Sequence, residues 1–547
     1  MESDLLKTKN QKGLLLGNEA IIRGALESGV QFVSTYPGTP ASEIGNIFYR
    51  IAQKQGVYFE FSTNEKVAME AAAGASFSGL RSLVAMKNFG LNVASDFLYP
   101  LLYTGVPKGM VIVVADDPSC WSSAQSEDNS RWHDLKAKIP TLEPSTPQEC
   151  KDFIKIAFEL SEKFKTPVMI RETTRVAHQS APVILGNIPK KSKKEALFVK
   201  NPDMYSTMAP RVFRMKKELL DKIKNIEKIV EKSPLNFVKN QNSKSKKIGA
   251  IASGVSYLYL LEALENLNIK IPILKLGFFY PLPEKKIKNF IKNLDQVLII
   301  EELEPFLEKE IERLAKDVNP KLKINGKNLL PEIGELKPEY IILALSKILK
   351  VKPDFDYQNH LKKVQEINLP KRNPQLCPGC PYHIVFSTIK KLSSKNTVIG
   401  GEIGCYMLAT YPPYEIQDYL YCMGSDISIA HGIKKATKNK QKVIAFIGDS
   451  SFFHAGIPAL VNTVYNNSNP LIIILNNSTT AMTGHQPYPG DVGINIENVV
   501  RACGVKNVKT LDQTNIKEFE DTVKDFLEKD EVSVIIATKP CIFVNKK

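Results

Sequence analysis

Residues 448–477 read GDSSFFHAGIPALVNTVYNNSNPLIIILNN, and the fold of the chain turns on how this stretch is punctuated. The apolar runs KVIAFI, just before it, and PLIIIL, inside it, are each the length of a strand. GIPALVNTVYNN between them reads as a helix. Strand, helix, strand at this spacing is a βαβ unit, and its right-handed crossover makes the two strands parallel. Both strand exits then open on one edge of the sheet. Asp449 at one exit and Asn477 at the other are brought together, although they are far apart in sequence. A carboxylate oxygen beside an amide oxygen suits Mg²⁺, which keeps few protein ligands and fills its octahedron with phosphate oxygens and water. The stretch therefore predicts a bound diphosphate. Gly448 would let the backbone approach it, and the following helix N-terminus would offer amide donors.

The same alternation recurs upstream. Residues 1–185 hold VQFVSTYPGTP, SLVAMKNFG, GMVIVVADDPS and PVMIRETTR, each an apolar run ending in a turn-rich loop, with helical patterns between them. Residues 246–350 repeat it with KIGAIASGVS, IPILKLGFFYPLP and QVLIIEELEP, and residues 375–547 contain the opening stretch. The expected fold is α/β, with three doubly wound, parallel-sheet domains. Two polar linkers separate them. The first, 186–245, is lysine-rich and carries a helical pattern in VFRMKKELLDKIKNIEKIVEK; the second is 351–374.

Composition narrows the class. Hydrophobic residues make up 43% of the 547 and charged residues 24%, which is a globular balance. The N-terminus MESDLLKTKNQKG has no apolar core, so no export signal is expected, and no apolar run is long enough to span a bilayer. A cytoplasmic, non-membrane protein follows. Eight cysteines without an export signal argue against a disulfide framework. The net charge of +15 fits either an evenly lysine-rich surface or an acidic protein partner. No nucleic-acid-reading motif accompanies it, so none is expected to bind.

The GD…NN pattern, with residues 451–475 as spacer, resembles the thiamine diphosphate motif. Its usual third residue is Gly, here replaced by Ser450. The flanking GDSSFFHAG and NNSTTAMTGHQPYPG resemble the thiamine diphosphate-dependent 2-oxoacid:ferredoxin oxidoreductases, and most of all the alpha subunit of the indolepyruvate enzymes. The resemblance extends over nearly the whole chain: a pyrimidine-binding domain, a transketolase C-terminal-like domain and a diphosphate domain. It implies thiamine diphosphate contacted by Gly448, Asp449, Ser450, Asn477 and Thr479, with Mg²⁺ held by Asp449, Asn477 and the Thr479 carbonyl. It also implies a glutamate on the pyrimidine domain. Glu65, in STNEKVAMEAAAGASFSG, opens a small-residue helix as such domains do. Glu70 is its rival, about 140° further round the helix.

Four further cysteines lie at turns or strand ends of the last domain: Cys377 and Cys380 in QLCPGCPYH, Cys405 in EIGCYM and Cys541 in KPC. Spacing alone suits zinc or an iron–sulfur cluster. The resemblance implies a [4Fe–4S] cluster, with Cys422 competing with Cys541 for the fourth position. It further implies oxidative decarboxylation of a 2-oxoacid, an arylpyruvate such as indolepyruvate, to the acyl-CoA, with coenzyme A as co-substrate and electrons passed to ferredoxin. A gamma-type small subunit completes the hetero-oligomer in such enzymes. Such relatives usually continue into a CxxCxxC-rich tail that is not in this sequence, so the expectation is that downstream clusters belong to a separate subunit or that ferredoxin docks directly at this domain; otherwise the chain delivers no electrons. Two alternatives stand: a non-oxidative thiamine-dependent decarboxylase, and a catalytically silent thiamine-binding subunit. Phe452 and Phe453 are candidates for an aryl pocket, with core packing expected for at least one; His454 and His485 flank the diphosphate loops, and either has a substrate carboxylate or a structural role to fill. His133, Arg171 and Arg175 are expected to be solvated or ion-paired.

Overall fold

The computed structural model describes residues 2–190, 195–241, 247–370 and 372–544. The chain forms two compact units, Met1–Asn368 and Leu369–Lys547.

The first unit carries a seven-stranded sheet in the order Phe278–Tyr280, Thr141–Leu142, Val168–Thr173, Met110–Asp116, Ser82–Lys87, Phe32–Thr35, Tyr58–Phe61. All pairings are parallel except that of Phe278–Tyr280 with Thr141–Leu142. Every residue of Met110–Asp116 is buried, as a central strand covered on both faces requires. The chain leaves Phe32–Thr35 outward to the edge strand Tyr58–Phe61. It then returns to Ser82–Lys87 on the other side and continues to Met110–Asp116. The direction of winding therefore reverses between the carboxyl ends of Thr35 and Lys87. Such a reversal opens a crevice where ligands bind in open α/β sheets.

A second sheet of this unit has the order Lys323–Asn325, Gln296–Ile300, Ile248–Ser253, Ile273–Leu276, Asn236–Lys239. Only Asn236–Lys239 runs antiparallel to its neighbour. Two features here differ from the sequence reading. Asn236–Lys239 lies within the span read as a linker, yet it is an edge strand of this sheet; the expected helix is also there, at Arg211–Val230. And IPILKLGFFYPLP, read as one strand, is two, split at Gly277 between the two sheets. A side chain at Gly277 would stand 2.8 Å from the Leu235 carbonyl oxygen and 3.0 Å from Phe153, so only glycine lets the chain cross over there. Lys12–Leu16 and Ser180–Ile184 form a small antiparallel pair.

A buried ionic network ties the two sheets of this unit together. Glu143 takes a bidentate pair of hydrogen bonds from Arg131, both at 2.7 Å, and one from Ser253 Oγ at 2.6 Å. Arg131 also reaches Glu301 at 3.0 Å, and Arg171 bonds both Asp116 (2.8 Å) and Glu143 (3.2 Å). Removing one member of such a buried network strands its partner's charge, at a cost of about 3–5 kcal/mol.

The second unit is a six-stranded, wholly parallel sheet: Tyr419–Leu420, Val398–Gly401, Val443–Gly448, Leu471–Asn476, Ser533–Thr538, Asn507–Leu511. Val443–Gly448 and Leu471–Asn476 are adjacent, and the apolar residues of both are buried. Among the described residues no helix is long and apolar enough to cross a membrane.

Candidate active site

Asp449 leaves the strand Val443–Gly448 as the first residue of a helical turn and is 3% exposed. Its Oδ1 accepts the Ser450 N–H at 2.7 Å; its Oδ2 accepts the N–H groups of Asn477 (3.1 Å) and Ser478 (2.9 Å). The two strand exits are therefore stapled together by this one carboxylate. Burial pushes its carboxyl up to about 7, against the opposing pull of those three amides. Asn477 Oδ1 accepts the Thr479 N–H at 3.1 Å, and Ser450 Oγ lies 2.8 Å from Thr480 Oγ1. All the predicted diphosphate residues thus sit on two adjacent loops.

Two details differ from expectation, while a core place for at least one of Phe452 and Phe453 is as expected. The helix begins at Asp449, earlier than the GIPALVNTVYNN pattern indicates, and passes through a π-helical turn at Phe452–Gly456 before Ile457–Tyr465. Pro458, lacking an N–H, removes one regular helical bond beside that turn. Gly448 has ordinary extended geometry (φ −77°), and its lack of a side chain makes room for Tyr406: a Cβ there would stand 2.8 Å from the tyrosine ring. Phe452 is fully buried in the core, while Phe453 is partly buried and faces Tyr488, with ring centroids 6.4 Å apart.

Tyr406 leads to residues the sequence reading missed. Its hydroxyl donates to Glu402, and lies 3.0 Å from the Ile403 carbonyl oxygen and 3.2 Å from Ser451 Oγ. Glu402 is fully buried and also accepts the Gly424 N–H; burial pushes it up to about 8. Asp426, equally buried, accepts the Phe446 N–H at 2.6 Å and is pushed up to about 7. Glu402 follows the strand Val398–Gly401, so the strand-exit argument that picked out Asp449 applies to it equally.

All eight cysteines are free thiols. Burial pushes Cys405 up to about 12, and Cys380, Cys541 and Cys377 add to it through space. Cys380 is pushed up to about 11 in the same way. Cys422 is exposed and has no part in those interactions. Cys541 is tied into the diphosphate loops, for its N–H donates to the Asn477 carbonyl at 2.9 Å. Its Sγ lies 3.5 Å from His485 Nε2. Tyr382, two residues beyond Cys380, is buried, reaches the Leu475 carbonyl at 3.4 Å, and feels Asp449 as well as three of the thiols. Among the described residues, no group of three or more His, Cys, Asp or Glu is set to hold a single metal ion.

In the first unit, Glu65 is the first residue of helix Glu65–Phe77, whose N-cap Asn64 accepts the Val67 N–H at 2.9 Å. Glu65 is 6% exposed, whereas Glu70 is a half-exposed carboxylate 3.8 Å from Lys66. The two glutamates are thus separated as the helical geometry requires. Arg171 and Arg175 are ion-paired, with Asp116 and Glu143 and with Glu335 respectively. His133 meets Asn92 Oδ1 at 3.0 Å and the Tyr99 hydroxyl at 3.3 Å.

Comparison with known proteins agrees with this architecture. Residues 23–231 match the family described as pyruvate flavodoxin/ferredoxin oxidoreductase, thiamine diphosphate-binding; residues 239–368 match the indolepyruvate oxidoreductase domain; residues 402–537 match the C-terminal TPP-binding domain of thiamine pyrophosphate enzymes. In fold, the chain is similar to a 2-oxoglutarate:ferredoxin oxidoreductase from Magnetococcus marinus, at a TM-score of 0.50 and 16% identity, over 62% of this chain and 65% of that one. Fold and matched domains define a thiamine diphosphate-binding oxidoreductase of the 2-oxoacid class. The chain is 43% identical to the indolepyruvate oxidoreductase subunit IorA of Methanothermobacter marburgensis, over 96% of its own length and 86% of the relative's. It is 42% identical to that of Pyrococcus horikoshii, over 97% and 86%. It belongs to the indolepyruvate oxidoreductase IorA family.

Proposed function

We propose that this chain oxidatively decarboxylates a 2-oxoacid, an arylpyruvate such as indolepyruvate, to its acyl-CoA, and passes the electrons through a [4Fe–4S] cluster to ferredoxin. The observation that carries the reading is the hydrogen bond from the Cys541 N–H to the Asn477 carbonyl. It fixes a proposed cluster ligand to the same strand-end turn as a proposed metal ligand. An electron acceptor held there has a use in an oxidative reaction and none in simple decarboxylation.

The donor sets fit the groups they would hold. Asp449 is a buried carboxylate whose pKa is raised by burial, and a bound cation would relieve that. With Asn477 Oδ1 and the Thr479 carbonyl it would hold Mg²⁺ by hard oxygen donors. Ser450 and the turn that opens at Asp449 would line the diphosphate. Glu65 would hold the proton at the aminopyrimidine ring nitrogen. Bound there, thiamine diphosphate supplies the nucleophilic carbon and the electron sink. Cys377, Cys380, Cys405 and Cys541 would hold the cluster. Four thiolates suit zinc or an iron–sulfur centre equally, and the likeness to the 2-oxoacid:ferredoxin oxidoreductases supports the latter. Tyr382 would separate that centre from the diphosphate loops. A gamma-type small subunit and a ferredoxin-like electron outlet complete the proposal, which places the enzyme in the cytoplasm.

The test is anaerobic reconstitution of the chain with the small subunit. Viologen reduction that requires both indolepyruvate and coenzyme A is the expected result. Aldehyde formation without iron or dye reduction would establish the non-oxidative reaction instead, and cofactor binding without turnover the silent subunit.

A further inference from the structure

The winding of the first unit reverses between Thr35 and Lys87, and the crevice there holds more than Glu65. Lys87 closes the strand Ser82–Lys87 and lays its stem across the loop Tyr36–Ala41. A Cβ on Gly38 would meet the lysine Cγ at 2.9 Å and Cδ at 3.0 Å. The ammonium is held in one place. It donates to Ser123 Oγ at 2.8 Å and to the Ser122 carbonyl at 3.3 Å, and it stands 5.0 Å from the centroid of the Phe89 ring. Ser123 is oriented in turn by Asp117: the serine hydroxyl donates to Asp117 Oδ2 at 2.8 Å, and the Ser122 N–H donates to the same oxygen at 2.7 Å. Asp117 is buried and spends its other oxygen on Thr174 Oγ1 at 2.6 Å.

This is an ammonium fixed by neutral acceptors. No carboxylate among the described residues pairs with it directly, and one of its three N–H donors has no partner there. The surrounding protein lowers the pKa of its ammonium, and Asp117 and Glu65 oppose that through space. A half-buried cation held between uncharged acceptors, with one donor open, is set to take an anionic ligand.

We propose that Lys87 binds the carboxylate of the 2-oxoacid substrate. The inference rests on the reading of the chain as a 2-oxoacid oxidoreductase and adds the residue that recognises the acid. Lysine suits this task, since it presents a point charge and leaves the carboxylate free to depart. Asp117, Ser122 and Ser123 are positioning residues, which keep the ammonium at the crevice between Thr35 and Lys87.

The experiment uses the complex of this chain with its small subunit, loaded with thiamine diphosphate and Mg²⁺. Calorimetry measures binding of indole-3-acetate and of indole-3-acetamide, which differ in the carboxylate alone. The wild-type complex should prefer the acid, and Lys87→Met should abolish that preference. Lys87→Met should also raise the indolepyruvate KM by about 10- to 100-fold, the loss expected for one charge-assisted hydrogen bond, with a much smaller change in kcat. Lys87→Arg should restore most of the acid preference. Cofactor affinity should be the same in all three proteins. An undiminished preference for the acid in Lys87→Met would overturn the assignment. So would loss of cofactor binding in both variants, which would make Lys87 a scaffold for loop 117–123. If the wild-type complex turns over no 2-oxoacid, the parent reading fails and this one with it. Turnover by the wild type with an unaltered Lys87→Met fails Lys87 alone.

Discussion

A Cβ built on Gly90 would stand 2.6 Å from Glu65 Cγ and 2.9 Å from Glu65 Oε1. The buried glutamate rests directly on the glycine of the neighbouring helix Asn88–Thr104. Met86 Cβ, 3.0 Å away, closes the remaining side, so the helix has no room to yield. Gly90→Ala should therefore push the Glu65 carboxylate out of place and cost about 1–3 kcal/mol of stability by overpacking. Exchange of the C2 proton of bound thiamine diphosphate should slow by about 100-fold, the scale of a 1 Å misplacement of a reacting group. Exchange at the wild-type rate, followed by NMR, would take the role away from Glu65.

Asp449→Asn keeps oxygen and shape but removes the charge. The one amide oxygen of this variant can keep the N–H groups of Asn477 and Ser478, while the Ser450 N–H loses its acceptor, so the fold should persist with a modest loss of stability. Cofactor affinity should weaken by about 100-fold or more and lose its dependence on Mg²⁺. Titration of thiamine diphosphate with and without the metal measures both effects; tight, metal-dependent binding by the variant would remove Asp449 from the metal site.

Replacing Cys377, Cys380, Cys405 or Cys541 by serine should each lower iron from about four atoms per chain to well below that, with loss of the visible absorbance. Cys422→Ser should leave iron unchanged, because Cys422 stands outside the group of interacting thiols. Iron lost on replacing Cys422 and kept on replacing Cys541 would reverse the assignment.

Glu172, which meets the buried Cys150 thiol at 3.9 Å, gives a pH-dependent prediction. It is 1% exposed, and burial, with Glu43 adding to it, pushes its carboxyl up to about 8. In the unfolded chain a glutamate titrates near 4.3. Between those values the folded state keeps a proton that the unfolded state has lost. The contribution of Glu172 to stability is thus complete below about pH 4 and falls as pH rises towards 8, by about 1.4 kcal/mol per unit. Glu172→Gln cannot lose that proton. Its stability relative to wild type, from denaturant unfolding, should increase steadily from pH 5 to pH 8. A constant difference between the two proteins across that range would show that Glu172 does not titrate there.

Local pattern and special residues carried a large part of this protein. Apolar runs ending in Gly-Asp and Asn-Asn were enough to put Asp449 and Asn477 at two strand exits, and the rule that parallel strands open on one edge was enough to bring them together. The 3.6-residue period marked the helix Arg211–Val230 inside an otherwise basic segment, because one buried stripe leaves that signature whatever surrounds it. Resemblance of motifs, rather than pattern, pointed to Cys541, which has no local signal beyond a turn.

Tertiary structure decided what depends on partners distant in sequence. An apolar run announces a strand, but its hydrogen bonds go to whichever strand packs beside it, so Gly277 could divide IPILKLGFFYPLP between two sheets without a trace in the pattern. Gly448 reads as room for a ligand until Tyr406 is found against it. Glu402 and Lys87 are charged residues in unremarkable positions along the chain. What sets them apart is the identity of the groups around them, and for Glu402 complete burial; those are properties of packing, fixed only when segments far apart in sequence pack around each.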